Sequence, residues 1–308
     1  MKTKKDKIYY CQPVFRPPSE AYSLLIQLTE GCTFNCDFCV SNLRKNFIVR
    51  EIDDVKHDLD VAKRIYGLNV KKIFFLDGNA MVTPTDKLIE LTKYANEIFA
   101  NLERCGVYAH AKDILKKSNE QLKALSEAGL KIAYVGFESG YDKLLENVNK
   151  HATKKDYIEA SKKLMKADII LSATFINGLG GANNLALSKK HALESADLIN
   201  KICPDDDRKW YIAFLTLMVP PGTEIFKKKT KAEFKEMNST EILNELKIFI
   251  ENIEFNNKNA NCIFRSNHAS NYLPIKGILD RDKEKIISTI NYGLTHIEML
   301  RPEFYRGL

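Results

Sequence analysis

Thr29-Glu30-Gly31-Cys32-Thr33-Phe34-Asn35-Cys36-Asp37-Phe38-Cys39 packs three of the seven cysteines of this 308-residue chain into eight positions. It follows directly on an apolar run, residues 23–29, that predicts a strand. The spacing C-x3-C-x2-C therefore sits on a loop at a strand's carboxyl end, where β/α proteins place their chemistry. Four thiolates would saturate a four-iron cluster. Three leave one iron open to an amino and carboxylate ligand such as methionine. On spacing alone two other readings stay open. One is a zinc site, which needs a fourth ligand that His57 or Cys11 would supply. The other is a pair of redox thiols at Cys36 and Cys39.

Outward from this loop, further apolar runs recur at 72–76, 106–110, 132–137, 169–176 and 211–218. Their β-branched, near-continuous apolarity predicts strands buried on both faces of a parallel sheet. Helical stripes lie between them. Ile52, Val55, Leu59, Ala62, Ile65 and Tyr66 form one, entered at Asp53-Asp54; Leu88, Leu91, Ala95, Ile98 and Phe99 form a second, behind Pro84. Ser118 with Gln121 has capping-box spacing and Gly129 closes that helix, while Thr153 with Asp156 repeats the signal before Tyr157, Ala160 and Leu164. Glu194, Ala196 and Leu198 mark a fifth helix and residues 242–253 a sixth.

Six β-α units in sequence make an α/β protein, either an open doubly wound sheet or a barrel, and periodicity does not separate the two. We read a partial (β/α)6 TIM-type barrel over residues 20–220. An N-terminal extension, residues 1–19, precedes it, and a C-terminal extension, residues 221–308, closes its side and contributes to substrate binding.

No run of 18 apolar residues predicts a membrane span, and the charged start from Met1 to Lys7 lacks the apolar stretch of a signal peptide. A cytoplasmic protein is expected, with cysteines reduced rather than in a disulfide framework. The net charge of +7 is spread among interspersed acids, so Lys227-Lys228-Lys229 reads as a solvated helix face with at most weak attraction for phosphate-bearing substrates. No basic patch interleaved with aromatics stands out, which argues against a stable nucleic-acid complex.

The cysteine loop and the strand ends together resemble the radical S-adenosylmethionine (SAM) superfamily, over about residues 20–220. Phe38 stands where that family keeps an aromatic near the adenine. Asp77-Gly78-Asn79 is similar to its Gly-Gly-Glu motif, which hydrogen-bonds the methionine amino group. Gly136-Phe137-Glu138-Ser139-Gly140 is similar to the segment that contacts the ribose and carboxylate. Asn177-Gly178-Leu179-Gly180-Gly181 follows the fifth run, and Leu215-Thr216-Leu217-Met218 sits where backbone groups bind adenine. Singly, a Gly-rich turn after a strand is only a turn, and Glu138 alone suits a helix cap; their order, each at a strand's end, carries the likeness.

The resemblance implies a [4Fe–4S] cluster on Cys32, Cys36 and Cys39, and SAM held by Phe38, Asp77, Gly78, Asn79, Glu138, Ser139, Asn177 and Leu217. It also implies an electron donor such as flavodoxin or ferredoxin, and reductive SAM cleavage to a 5′-deoxyadenosyl radical that takes hydrogen from a small-molecule substrate. No further catalytic side chain is singled out.

Against the family's subgroups, the 31 residues before Cys32 are too few for an upstream cobalamin or methylthiotransferase cluster domain. Ser41 stands where coproporphyrinogen dehydrogenase-like members have a further Cys. Cys203 and Cys262 read as small buried residues, giving one cluster.

The segment Phe264-Arg265-Ser266-Asn267-His268-Ala269-Ser270-Asn271-Tyr272 follows an apolar run that suits an added edge strand. Its polar density suits either a ligand site or a turn that satisfies its own backbone. A similar segment recurs in the group this chain most resembles, and it makes Arg265, Ser266, Asn267, His268, Asn271 and Tyr272 candidates for substrate binding. The concrete candidate reaction is queuosine salvage, a lyase freeing queuine from queuosine or its 5′-phosphate, with Arg265 and nearby lysines on the phosphate. A radical oxidoreductase or tRNA-modifying enzyme is the alternative within the family, and a non-catalytic zinc-binding protein the alternative outside it.

Overall fold

The computed structural model describes residues 7–41 and 43–307; the charged start of the expected N-terminal extension, Met1 to Asp6, lies outside them. Among the described residues ten strands form: β1 Leu24–Gln27, β2 Thr29–Glu30, β3 Ile48–Val49, β4 Lys72–Leu76, β5 Arg104–Ala109, β6 Leu130–Glu138, β7 Ile170–Asn177, β8 Trp210–Thr216, β9 Cys262–Ser266 and β10 Ile275–Ile278. The helices are α1 Ile52–Tyr66, α2 Thr85–Ile98, α3 Ala111–Lys116, α4 Asn119–Glu127, α5 Asp142–Asn147, α6 Lys154–Lys166, α7 Leu185–Ile202, α8 Glu224–Thr230, α9 Ser239–Glu251 and α10 Leu279–Thr295. None of them is long and apolar enough to cross a membrane.

Apart from the small β2-β3 pair, the strands make one sheet in the order β1-β4-β5-β6-β7-β8-β9-β10. Neighbours through β9 are parallel where their register is resolved, and β10 runs antiparallel to β9. The order rises without the reversal that marks a doubly wound sheet. Successive β-α units winding one way are those of a (β/α) barrel. The expected edge strand at Cys262 is β9, but it is an inner strand, because β10 pairs on its far side.

Two compact units divide the chain. The first comprises the described parts of 1–34, 41–135 and 162–171. Its strands β1, β4 and β5 bury Ile26, Phe74, Phe75 and Val107 completely. Phe74 meets Tyr108 and Tyr134 edge-on, with ring centroids 4.8 and 5.4 Å apart. The capping box that Ser118 and Gln121 predict is present on α4, and Gly129, at φ +112°, ends that helix in the left-handed region that favours glycine.

The second unit comprises 35–40, 136–161 and 172–308. Phe175, Phe214, Phe249 and Phe264 fill its centre, with Phe214 4.5 Å from Phe249 of α9. Each such ring contributes about 1.5–3 kcal/mol by leaving water. Expectation and structure part at β8, and β9 shares its pattern. Their residues alternate between fully buried and half-exposed, so these strands are covered on one face only.

Within this second unit a buried polar network ties strand ends to helices. Glu245 of α9 accepts the Gly178 amide at 2.7 Å and the Ser188 hydroxyl. His191 of α7 lies 3.7 Å from Glu245 and bonds Ser139 Oγ at 2.7 Å. Gly178 follows β7 and Ser139 follows β6, so α9 is fastened to the ends of two strands. Burial pushes the Glu245 carboxyl up to about 7 and the His191 imidazole down to about 4. At neutral pH their contact is therefore no full ion pair.

The two shifts act oppositely on stability. Native His191 resists a proton that the unfolded chain accepts below 6.5, so its contribution grows as pH rises from about 4 to 6.5. Native Glu245 keeps a proton that the unfolded chain has released above 4.5, so stability falls as pH rises from there towards about 7. The parent should be nearly flat between pH 5 and 6.5, as far as these groups are concerned. Glu245→Gln removes one slope and should gain up to roughly 3 kcal/mol over the His191 window, measured by urea denaturation at each pH. Superimposable pH profiles for parent and variant would contradict the assignment.

Candidate cluster and cofactor site

In the first unit the start of the cysteine loop is held by the ends of β4 and β5. Asn79, fully buried, donates to Thr33 Oγ1 at 3.2 Å and to Asp113 at 2.6 Å, and accepts the His110 amide at 3.0 Å. The His110 ring stacks on Phe34, centroids 3.7 Å apart. Asp77 is equally buried. Lys45 lies 2.5 Å away with its side chain only 1% exposed, and Gln27 donates at 3.3 Å. Burial raises the Asp77 pKa, with Lys45 and the Gly31 and Gly78 amides opposing it. The side chains of Asp77 and Asn79 are thus engaged within the protein, as are the Asp77 amide, which donates to Thr29 Oγ1 at 3.2 Å, and the Asn79 carbonyl, which accepts the Val82 amide at 3.2 Å. Gly78 between them is half-buried.

In the second unit residues 148–151 run alongside the rest of the loop. Val148 carbonyl accepts the Asp37 amide at 3.0 Å, Asn149 donates to Asp37 at 2.6 Å, and the His151 ring bonds Asn35 at 3.2 Å. Asn149 and His151 both adopt positive φ, 53° and 58°, a region that Asn and His enter more readily than most side chains. Lys150 falls between them, beside Cys36, and its Nζ is 2.9 Å from Glu138. Burial works to strip its proton, but the Glu138 carboxylate and the Cys36 sulfur outweigh burial and hold the ammonium above its ordinary pKa. Gly136 makes room for the pair, because a Cβ there would lie 2.2 Å from the Glu138 carboxylate and 3.0 Å from Lys150 Nζ. The Cys39 amide turns back onto the Cys36 carbonyl at 3.0 Å.

Nearby strand ends complete this half. Glu138 sits at φ +60° at the end of β6. The Ser139 hydroxyl shares the His191 bond and accepts the Tyr141 amide at 2.9 Å. Asn177, closing β7, is 1% exposed, and its Oδ1 has no hydrogen-bond partner. Phe38 packs on an apolar cluster that includes Leu217 and Ile176. Both backbone groups of Leu217 are taken, its amide by Asn177 and its carbonyl by Arg306 at 3.0 Å.

The polar C-terminal segment divides. Arg265 and Ser266 belong to β9 rather than to a loop. Asn271 accepts from Thr216 Oγ1 at 2.9 Å and donates to the Phe214 carbonyl at 2.7 Å. Tyr272 donates to Glu303 and receives Arg306, each within 2.7 Å. Arg301 and Arg306 gather the carbonyls of 268–271. These contacts make Asn271 and Tyr272 parts of the fold, and Ser266 is buried. His268 bonds Ser270, and Asn267 is exposed. Lys150, Lys45, His191, Glu245 and Arg306 escaped sequence reading, since each acts across many residues and no local spacing marks it.

The donor chemistry fits a thiolate-held cluster. Cys32, Cys36 and Cys39 are half-buried. Burial raises the thiol pKa of the other four cysteines, to about 12 for Cys105 and about 11 for Cys203, and this favours protonated thiols over ligands. Among the described residues no three His, Cys, Asp or Glu converge on a single metal ion. Thiolates on a cubane each bind a different iron and need not converge. His57 is exposed on α1, and the amide of Cys11 is taken up by Gln27 at 2.6 Å.

Comparison with known proteins places the chain. Over 159 residues it is 29% identical to an uncharacterized methyltransferase of Pyrococcus horikoshii, covering 50% of this chain and 32% of that protein. Over 181 residues it is 26% identical to a tRNA-2-methylthio-N(6)-dimethylallyladenosine synthase of Bdellovibrio bacteriovorus, covering 56% and 38%. The chain thus spans about a third of the length of these relatives. Among solved structures, methylornithine synthase superposes with a TM-score of 0.51 at 14% identity over 91% of this chain and 83% of that one. Coproporphyrinogen III oxidase from Escherichia coli gives 0.53 at 14% identity, over 74% and 51%. At such identities these two establish the fold alone, a partial barrel. The sequence profile described as Radical SAM superfamily matches residues 26–186, more than half of the chain, and the chain belongs to that superfamily, whose members use a [4Fe–4S] cluster and S-adenosylmethionine.

Proposed function

We propose that this protein is a single-cluster radical SAM enzyme, independent of cobalamin, that takes hydrogen from a small polar substrate. The observation that carries the reading is the loop of three half-buried thiols with a buried ammonium beside its middle member. Cys32, Cys36 and Cys39 hold the cluster. When bound, cluster and SAM together supply a 5′-deoxyadenosyl radical on reduction. Lys150 offers a desolvated cation to the methionine carboxylate, and Glu138, oriented by Lys150, accepts from the ribose. Asn177 turns an unpartnered acceptor towards the nucleoside, and Phe38 with Leu217 supplies an apolar wall for adenine. Asp77 and Asn79 hold the end of β4, and Ser139 ties the end of β6 to α7. Closing these groups against water protects a radical from side reactions.

Residues 20–220 form the working core in this reading, after an N-terminal extension of 1–19, and residues 221–308 contribute to substrate binding. An external electron donor such as flavodoxin or ferredoxin serves it in the cytoplasm. Release of queuine from queuosine 5′-phosphate, a lyase reaction, is the specific candidate. It rests on the polar segment that begins at Arg265.

Anaerobically reconstituted protein should carry about four irons and be brown. Changing Cys32, Cys36 or Cys39 singly to Ala should lose most of the iron and abolish reductive SAM cleavage; wild-type protein holding zinc in place of iron would refute the reading. Lys150→Met should weaken SAM binding at least about tenfold, by equilibrium dialysis, while iron content is retained. Queuosine 5′-phosphate given to reduced enzyme with SAM should yield queuine, detected by mass spectrometry, and none above background removes that candidate alone.

A further inference from the structure

The uncovered face of the C-terminal strands carries two cations on one row. Register runs from Thr174 of β7 to Ala213 of β8, to Arg265 of β9 and to Lys276 of β10. Alternate residues of these strands point the other way, into the helices. Phe264 meets Phe214, which meets Phe249 of α9, and a Cβ on Gly277 would touch Ile286 of α10 at 2.9 Å. Thr174, Ala213, Arg265 and Lys276 therefore share the face that α9 and α10 leave open. Thr174, Ala213 and Arg265 are half-exposed, and Lys276 is exposed.

Like charges directly opposite across two strands repel. Among the described residues no carboxylate pairs with either cation, and Arg265 spends one bond, at 3.3 Å, on the Phe264 carbonyl. Most of its donors are unspent, and its row neighbour on β8 is the small Ala213. An oxyanion resolves the repulsion and satisfies the guanidinium fork in one step.

We propose that Arg265 and Lys276 form the docking site for a terminal oxyanion, phosphate or carboxylate, on the substrate of this enzyme. The inference rests on the radical SAM reading above and names the substrate class for it. A phosphodiester chain is a poorer fit, since tracking a backbone takes cations spread along a groove rather than two on one row.

The test is isothermal titration of reconstituted, SAM-loaded holoenzyme at low ionic strength with inorganic phosphate and, separately, with acetate. One of them should bind at a single site, which decides between the two oxyanions. Its affinity should fall at least about tenfold in Arg265→Met and in Lys276→Met, and recover in part in Arg265→Lys. Thermal melting checks that the variants fold, and Arg265→Lys serves if Arg265→Met melts early. Binding of neither anion, or binding unchanged in the variants, overturns the proposal, as does binding of total tRNA with the same dependence on these residues. Iron content and SAM affinity of the same preparation separate the two ideas. Protein that holds iron and SAM but no anion sinks the substrate class alone, and iron-free protein that still binds phosphate through Arg265 sinks the cofactor reading alone.

Discussion

A buried ammonium is among the costliest groups a protein interior can hold, and Lys150 persists there because Glu138 lies 2.9 Å away and the Cys36 sulfur faces it. Much of this half of the site follows from that arrangement. Glu138 must end β6 in a left-handed backbone to reach the pair. Gly136 must lack a side chain for both partners to fit. Residues 148–151 must run against the cysteine loop, which needs two further left-handed residues and fixes Asn35 and Asp37 at the same time. The buried charge is thus part of what shapes the loop.

The cysteine loop is held again in the first unit by a different device. There neutral polar groups and rings do the work, with Asn79 bonding Thr33 and His110 stacking on Phe34. Asp77 with Lys45 is a second buried ion pair, and the Gly31 and Gly78 amides turn to the same carboxylate. The Gly-Gly-Glu likeness therefore survives in position while its acid serves the fold.

Local patterns were legible because local physics makes them. The C-x3-C-x2-C spacing, the capping box at Ser118 and the strand-ending motifs are each written within a few residues. What stayed hidden lies at long range. Lys150 draws its meaning from Glu138 and Cys36, Glu245 from Gly178 and Ser188, and Arg306 from Leu217 and Ser270. The polar segment after Cys262 has the same long reach, since Asn271 bonds strand β8 and Tyr272 bonds Glu303 and Arg306. Apolar runs also overstated burial. Tyr211, Ala213 and Leu215 look like core by composition, yet they line a face that the helices do not cover.

That one-sided covering separates two evolutionary pressures along a single strand. Trp210, Ile212 and Phe214 answer to the interior, where a change of one methylene is felt. Their neighbours Tyr211, Ala213 and Leu215 can drift with little penalty to folding. A lineage could thereby rework the chemistry of this open face by editing every second residue, while the scaffold beneath keeps its shape.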